Sequence, residues 1–171
     1  MLEKIVLIGP PGAGKSSIGR ALAKELALPF IDSDSEIEKK VGKKISEIFV
    51  DNGEPYFREL EVSKVKEILK EFNGVISLGG GAPINSEIFE LLASGSYPII
   101  FIDVSISQAA TRIGFNKDRP LLLINPRQQW INLMAERRPI YEKLASEIIS
   151  SDSKKPVEVA RIIAEKIQAK I

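Results

Sequence analysis

The chain of 171 residues contains no cysteine and no histidine. Without cysteine there is no disulfide framework, no thiolate nucleophile and no cysteine-built zinc site, a usage that suits a reducing compartment. Without histidine the commonest general base and metal ligand is missing, so chemistry falls to Lys, Arg, Asp, Glu, hydroxyls, backbone amides and a hard metal ion. Net charge is nearly absent as well. The 24 basic and 23 acidic residues leave +1, too little for a global field that gathers nucleic acid or a membrane surface, so neither partner is expected. Any anionic ligand must be gripped by local groups. The apolar stretch near the start, "IVLIGPPG", is far too short for a membrane span or a signal peptide, and a soluble cytoplasmic protein is expected.

What the chain does contain is apolar residues enough for one ordinary core, 44% of the total, and a single domain over residues 1–171 is expected. Short β-branched runs, "KIVLI" (4–8), "PFID" (29–32), "GVISL" (74–78), "YPIIFIDV" (97–104) and a weaker "EIIS" (147–150), alternate with amphipathic segments. Their near-continuous apolar character predicts parallel strands covered on both faces. Ile18, Leu22 and Leu26 mark one helix face, Phe57, Leu60, Val65, Ile68 and Phe72 a second, and Val159, Ile162, Ile163 and Ile167 a third behind a first-turn Pro156. The pattern predicts an α/β fold, a parallel sheet with helices on both faces. The one long irregular stretch, "IGFNKDRPLLLINP" (113–126), has the length and composition of a lid or a surface excursion.

"GPPGAGKS" (9–16) matches GxxxxGK[ST] with Gly9, Gly14, Lys15 and Ser16 in place, an apolar strand before it and an amphipathic helix behind. Such a loop offers backbone N–H groups at a helix N-terminus to phosphate oxygens. Gly12, Ala13, Gly14, Lys15, Ser16 and Ser17 are therefore the candidate nucleotide contacts, with Lys15 reaching the β and γ oxygens and the Ser16 hydroxyl on Mg²⁺. A phosphate loop does not name the acceptor.

Three other clusters bear on that. "FIDSDSEI" places Asp32 and Asp34 at the end of a strand, where parallel sheets bind ligands, although Ser33 or Asp34 is equally suited to cap a helix. "EPYFRELE" gives Arg58 acidic neighbours at Glu54 and Glu61, the spacing of surface ion pairs. "KDRPLL" and "ERRPIY" supply Arg119, Arg137 and Arg138, and arginine suits a bidentate grip on carboxylate or phosphate. Together with the loop they suggest a kinase whose small acceptor is itself an anion. Three glycines, Gly79, Gly80 and Gly81 in "SLGGGA", follow the third strand, as a bare turn or as a place of close approach.

With "GPPGAGKSS", "DSD", "FRELE", "SLGGGA", "RPLL" and "RRPIY" in this order, the sequence resembles the shikimate kinases from residue 4 to about residue 156. The resemblance implies a P-loop NTPase of the nucleoside monophosphate kinase type, three-layer α/β/α with a five-stranded parallel sheet and a mobile lid at about 113–125. It implies transfer of the γ-phosphoryl of MgATP to the 3-hydroxyl of shikimate, in chorismate and aromatic amino acid biosynthesis. Asp34 then binds ring hydroxyls and is the candidate to orient the acceptor, and Asp32 assists Mg²⁺ through water. Arg58 and Arg137, not Arg138, grip the substrate carboxylate, the three glycines lie against the substrate, and Phe49 and Phe57 wall it. Arg119 reaches the transferring phosphate and Arg112 stacks on adenine. The loop "SDSKKP" (151–156) lies on the adenine side, with Lys154 and Lys155 as ordinary surface lysines, and Tyr141 is a packing residue. Shikimate, ATP and Mg²⁺ are thus the expected ligands of a monomer. Kinases acting on gluconate or a nucleoside monophosphate share the loop and the fold, and a nucleotide-dependent binding or regulatory module that has lost transfer activity is the alternative from another class.

Overall fold

A computed structural model describes residues 2–114 and 125–170. Five strands, β1 (Lys4–Ile8), β2 (Phe30–Asp32), β3 (Gly74–Ser77), β4 (Ile99–Asp103) and β5 (Glu147–Ser150), form one sheet in the order β2-β3-β1-β4-β5. Every neighbouring pair is parallel. Ile5 to Ile8 are wholly buried, as a central strand with helices on both faces requires. The strands are shorter than the apolar runs that announced them. Pro29, Leu78, Tyr97, Pro98 and Val104 fall outside, two of them prolines that have no N–H to give a ladder.

Helices α1 (Lys15–Leu26), α2 (Ser33–Val41), α3 (Ile45–Asn52), α4 (Glu54–Glu71), α5 (Ser86–Ser94), α6 (Ile106–Ile113), α7 (Pro126–Leu144) and α8 (Pro156–Ala169) cover the sheet. α1 packs on α8, while α5 packs on α4 and α7. Pro156 opens α8, its fixed φ suited to a first turn. Phe72, expected on the face of α4, is instead its C-terminal cap with extended backbone. Neither Ser33 nor Asp34 caps α2: the cap is Asp32, whose Oδ1 accepts from the Ser35 amide at 3.1 Å. Ile37, Ile48 and Phe57 form a small second core where α2, α3 and α4 meet, apart from the main one. None of the described helices is long and apolar enough to cross a membrane.

This topology lines up three loops. Asp32 of β2 and Leu7 of β1 both stand opposite Ser77 of β3, so the C-terminal ends of three adjacent strands are level. With strands about 4.8 Å apart, the segments that follow them share one crevice.

Candidate active site

The phosphate loop follows β1 and ends at Gly14, the cap of α1, where φ is 88°. That left-handed backbone strains any residue with a side chain. Gly9 is required for a second reason, because a Cβ there would lie 2.5 Å from the Ile102 carbonyl oxygen. Between them each carbonyl has a donor. Lys15 Nζ donates to Gly9 (2.7 Å) and Pro10 (3.1 Å), Trp130 Nε1 to Pro11 (2.9 Å), and Arg112 Nη1 to Gly12 (3.2 Å) and Ala13 (3.3 Å). The Gly14 carbonyl accepts from the Ile18 amide. Lys15, Ser16 and Ser17 then open α1, whose first N–H groups have no partner within the helix and no side-chain cap. Their partial positive charge suits an anion.

Gly12, Ala13, Gly14, Lys15, Ser16 and Ser17 line a cleft of about 500 Å³, together with Asp32, Asp34, Gly79, Gly80 and Arg112. On its floor the Ser16 hydroxyl donates to Asp32 Oδ2. Asp32 thus joins the cleft through one oxygen and caps α2 through the other.

The glycine run answers to clearance, not to conformation. None of Gly79, Gly80 and Gly81 has a positive φ. A Cβ on Gly79 would meet Asp34 Oδ1 at 2.6 Å, on Gly80 Arg137 Nη1 at 3.1 Å, and on Gly81 Arg58 Nη1 at 2.5 Å. Three charged side chains from three helices therefore rest on one stretch of bare backbone, one per glycine. The space that a methyl group would fill is occupied by the protein's own ionic groups.

Two side-chain hydrogen bonds help fix that stretch, and neither was visible in the motifs. Ser33 Oγ, fully buried, accepts from the Gly79 amide at 3.1 Å. The Tyr141 hydroxyl, also fully buried, donates to the Gly80 carbonyl at 2.6 Å, so Tyr141 does more than pack. Burial pushes its phenol up to about 12, with Arg137 opposing.

Arg58 holds the ion pairs its spacing predicted, but only one is at the surface. Its Nη2 lies 3.2 Å from Glu54 Oε1, and its Nη1 lies 2.8 Å from Oε1 of Glu61, which is 1% exposed. Burial works against the Arg58 charge, yet Glu61 and then Glu54 outweigh it and the guanidinium is held more firmly protonated than usual. On Glu61 burial wins over Arg58, so this carboxyl is raised. Arg58 also lies over the Phe57 ring at 5.2 Å, and Phe57 stacks on Phe49 at 5.1 Å. Arg58 lines a separate shallow hollow with Val62, Ser63, Lys66 and Asn85, and does not line the phosphate cleft.

The two adjacent arginines of α7 part company. Arg137 is 8% exposed and reaches Gly80. Arg138 pairs with Asp103 at 2.6 Å and lies over Phe101. At the far end of the cleft Arg112 Nη1 and Nη2 donate to the hydroxyl (2.7 Å) and carbonyl (2.6 Å) of Ser151, joining the phosphate loop to the segment after β5. Lys154, expected as an ordinary surface lysine, lines the cleft as well and donates to Ser150 O. Arg119 and most of the expected lid lie outside the described residues.

A family model described as shikimate kinase matches residues 11–168. A curated relative, the shikimate kinase of Rhodococcus erythropolis, is 43% identical over 171 residues, covering 99% of this chain and 100% of that one. The shikimate kinase of Thermobifida fusca is 44% identical over 96% of this chain and 94% of its own. Among solved structures, the shikimate kinase from Acinetobacter baumannii in complex with shikimate superposes with a TM-score of 0.95 at 33% identity, over 99% and 95% of the two chains. That from Aquifex aeolicus has a TM-score of 0.84 at 37% identity, over 98% and 97%.

Proposed function

The chain belongs to the shikimate kinase family, ATP-dependent kinases acting on shikimate, and from that premise we propose how its own side chains carry out the transfer. The γ-phosphoryl group of ATP passes to the 3-hydroxyl of shikimate, giving shikimate 3-phosphate and ADP on the way to chorismate and the aromatic amino acids. Phosphoryl transfer of this kind runs through a loose transition state, so positioning and charge stabilisation supply most of the catalysis. A chain without histidine is equipped for that.

In this reading the first N–H groups of α1 take the phosphates, and Lys15 exchanges the carbonyls of Gly9 and Pro10 for the β and γ oxygens. The hydroxyl of Ser16 and the carboxylate of Asp32, already in contact, are hard oxygen donors of the kind magnesium prefers. Among the described residues no three acidic side chains are grouped so that they could hold a metal ion. Mg²⁺ bound there would neutralise charge on the β and γ phosphates. Arg112 borders the nucleotide end through its bonds to Ser151, and Arg119 takes the transferring phosphoryl group by its place in "RPLL".

The acceptor lies over Gly79 to Gly81. Asp34 orients its hydroxyl, and Arg58 with Arg137 grips its carboxylate in the bidentate manner arginine favours. The observation that carries this assignment is the pairing of one ionic group with each glycine, an acid beside two bases, on a stretch whose Gly79 and Gly80, with Asp34, line the phosphate cleft.

The test is ADP release from MgATP in a coupled assay, offering shikimate, gluconate and AMP separately to wild type and Arg58→Ala. Release with shikimate alone, lost in the variant, is the expected result. Release with another acceptor would overturn the roles of Asp34, Arg58 and Arg137, and no release with any would turn the protein into a nucleotide-binding module.

A further inference from the structure

The buried residues of α7 are Trp130, Met134, Arg137, Tyr141 and Leu144. Steps of four and three keep them on one helical face. Two of them donate to the main chain of binding loops, not to a helix or the sheet: Trp130 Nε1–H to the Pro11 carbonyl at 2.9 Å and the Tyr141 hydroxyl to the Gly80 carbonyl at 2.6 Å. The donors are separated by three turns, about 16 Å along the axis. Arg137 stands between them, against Gly80.

Both acceptors face the same demand. A carbonyl of the phosphate loop that turned inward would present an oxygen to the phosphates and repel them, so it needs a donor behind it. Arg112 serves Gly12 and Ala13, and among the described residues Trp130 alone serves Pro11. The Gly80 carbonyl sits in the stretch that Asp34, Arg137 and Arg58 contact, where rotation of one peptide would shift all three.

We propose that Trp130 and Tyr141 are positioning residues for the transfer: α7 is a strut that holds the phosphate loop through Pro11 and the glycine loop through Gly80, and so sets the separation of donor and acceptor sites. This inference rests on the shikimate kinase reading above. A helix suits the task, since its length is fixed by its own hydrogen bonds while the loops it ties are not.

The test removes each bond while leaving an aromatic ring at the position, the whole ring in Tyr141→Phe and a smaller one in Trp130→Phe. Trp130→Phe is expected to raise the KM for ATP about three- to tenfold and to leave the KM for shikimate within about twofold, the size expected for one neutral hydrogen bond. Tyr141→Phe is expected to do the reverse. A role in packing alone would lower the thermal midpoint and leave both constants unchanged or move them together, and either result overturns the proposal. A second readout needs no variant, because Trp130 is the only tryptophan of the chain. Its emission should change saturably with ADP and hold steady with shikimate alone; a response to shikimate alone and none to ADP would overturn the proposal. If wild type turns over no shikimate, the functional reading fails by itself, and the strut is then decided on the ADP affinity of Trp130→Phe.

Discussion

Oε1 of Glu61 lies 2.8 Å from Nη1 of Arg58, and the acid is buried while the base is not. An ion pair drawn in sequence as a surface feature is in fact a buried acid holding an arginine against Gly81. Removing the acid frees the guanidinium and leaves it without its nearest counter-charge. Glu61→Gln should therefore raise the KM for shikimate about tenfold and change that for ATP by less than twofold, from loss of about 1–2 kcal/mol of charge-assisted hydrogen bonding. Steady-state kinetics with each substrate varied would check it.

The same pair makes a stability prediction with a definite sign. Burial raises the Glu61 carboxyl above its unfolded value, so the folded state binds that proton more tightly. The contribution is fully present below the unfolded value and is lost as pH rises through the folded one. Glu61→Gln mimics the protonated form at every pH. Urea unfolding of wild type and variant should show wild type gaining relative to Glu61→Gln as pH falls from 7 towards 4.5. A gain in the opposite direction would mean that Arg58 outweighs burial on this carboxyl.

Alanine at two glycines should separate two functions. At position 81 the methyl group meets the guanidinium tip of Arg58, and at 79 the carboxylate of Asp34. Both obstacles are ends of side chains, so folding survives while the site shifts. Gly81→Ala should raise the KM for shikimate with little change in kcat, and Gly79→Ala should lower kcat at least tenfold, about 1.4 kcal/mol in the barrier. Equal effects of both substitutions on both constants would refute the assignment of one ionic group to each glycine.

Adjacent arginines of α7 should behave differently. Arg137→Ala is expected to weaken shikimate binding about a hundredfold, since a charged group reaching the acceptor site is lost. Arg138→Ala loses a partly exposed pair with Asp103 and should cost about 1 kcal/mol or less of stability, with both KM values kept. Kinetics and thermal melts of the two variants side by side distinguish them.

Burial raises Tyr97, and raises Tyr141 to about 12. Ultraviolet titration should show one phenolate appearing only near pH 12 and missing from Tyr141→Phe. Its contribution to stability is intact below about pH 10, the unfolded value, and is lost as pH climbs through 12.

Arg119 carries a separate expectation, drawn from "RPLL" alone. Arg119→Ala should reduce kcat about a hundredfold or more with little change in shikimate affinity, as for other groups that act on transition-state charge. Unchanged turnover would remove it from the mechanism.

Much of the site was legible because it is local. Strand, loop and helix of the phosphate site are contiguous from Lys4 to Leu26, and the glycine, lysine and hydroxyl they need are written in eight residues. The parallel sheet was legible too, since strands buried on both faces must be apolar throughout. The cap of α2 lies one or two residues before the expected Ser33 or Asp34, because Asp32, Ser33 and Asp34 all have the chemistry of a cap and only backbone geometry decides among them.

Other features depend on chain segments far apart in sequence. The bond from Ser33 to Gly79 spans 46 residues, that from Tyr141 to Gly80 spans 61, and that from Trp130 to Pro11 spans 119. No spacing rule connects such pairs. The sequence by itself determined that this chain holds a phosphate loop, a parallel sheet and enough arginine to grip an anion, for these follow from local geometry and apolar pattern. Only the tertiary structure decided that Glu61 is buried, that Trp130 and Tyr141 donate to loop carbonyls, and that three glycines are bare to make room for charge, because burial and direction are set by what the rest of the chain packs against each face.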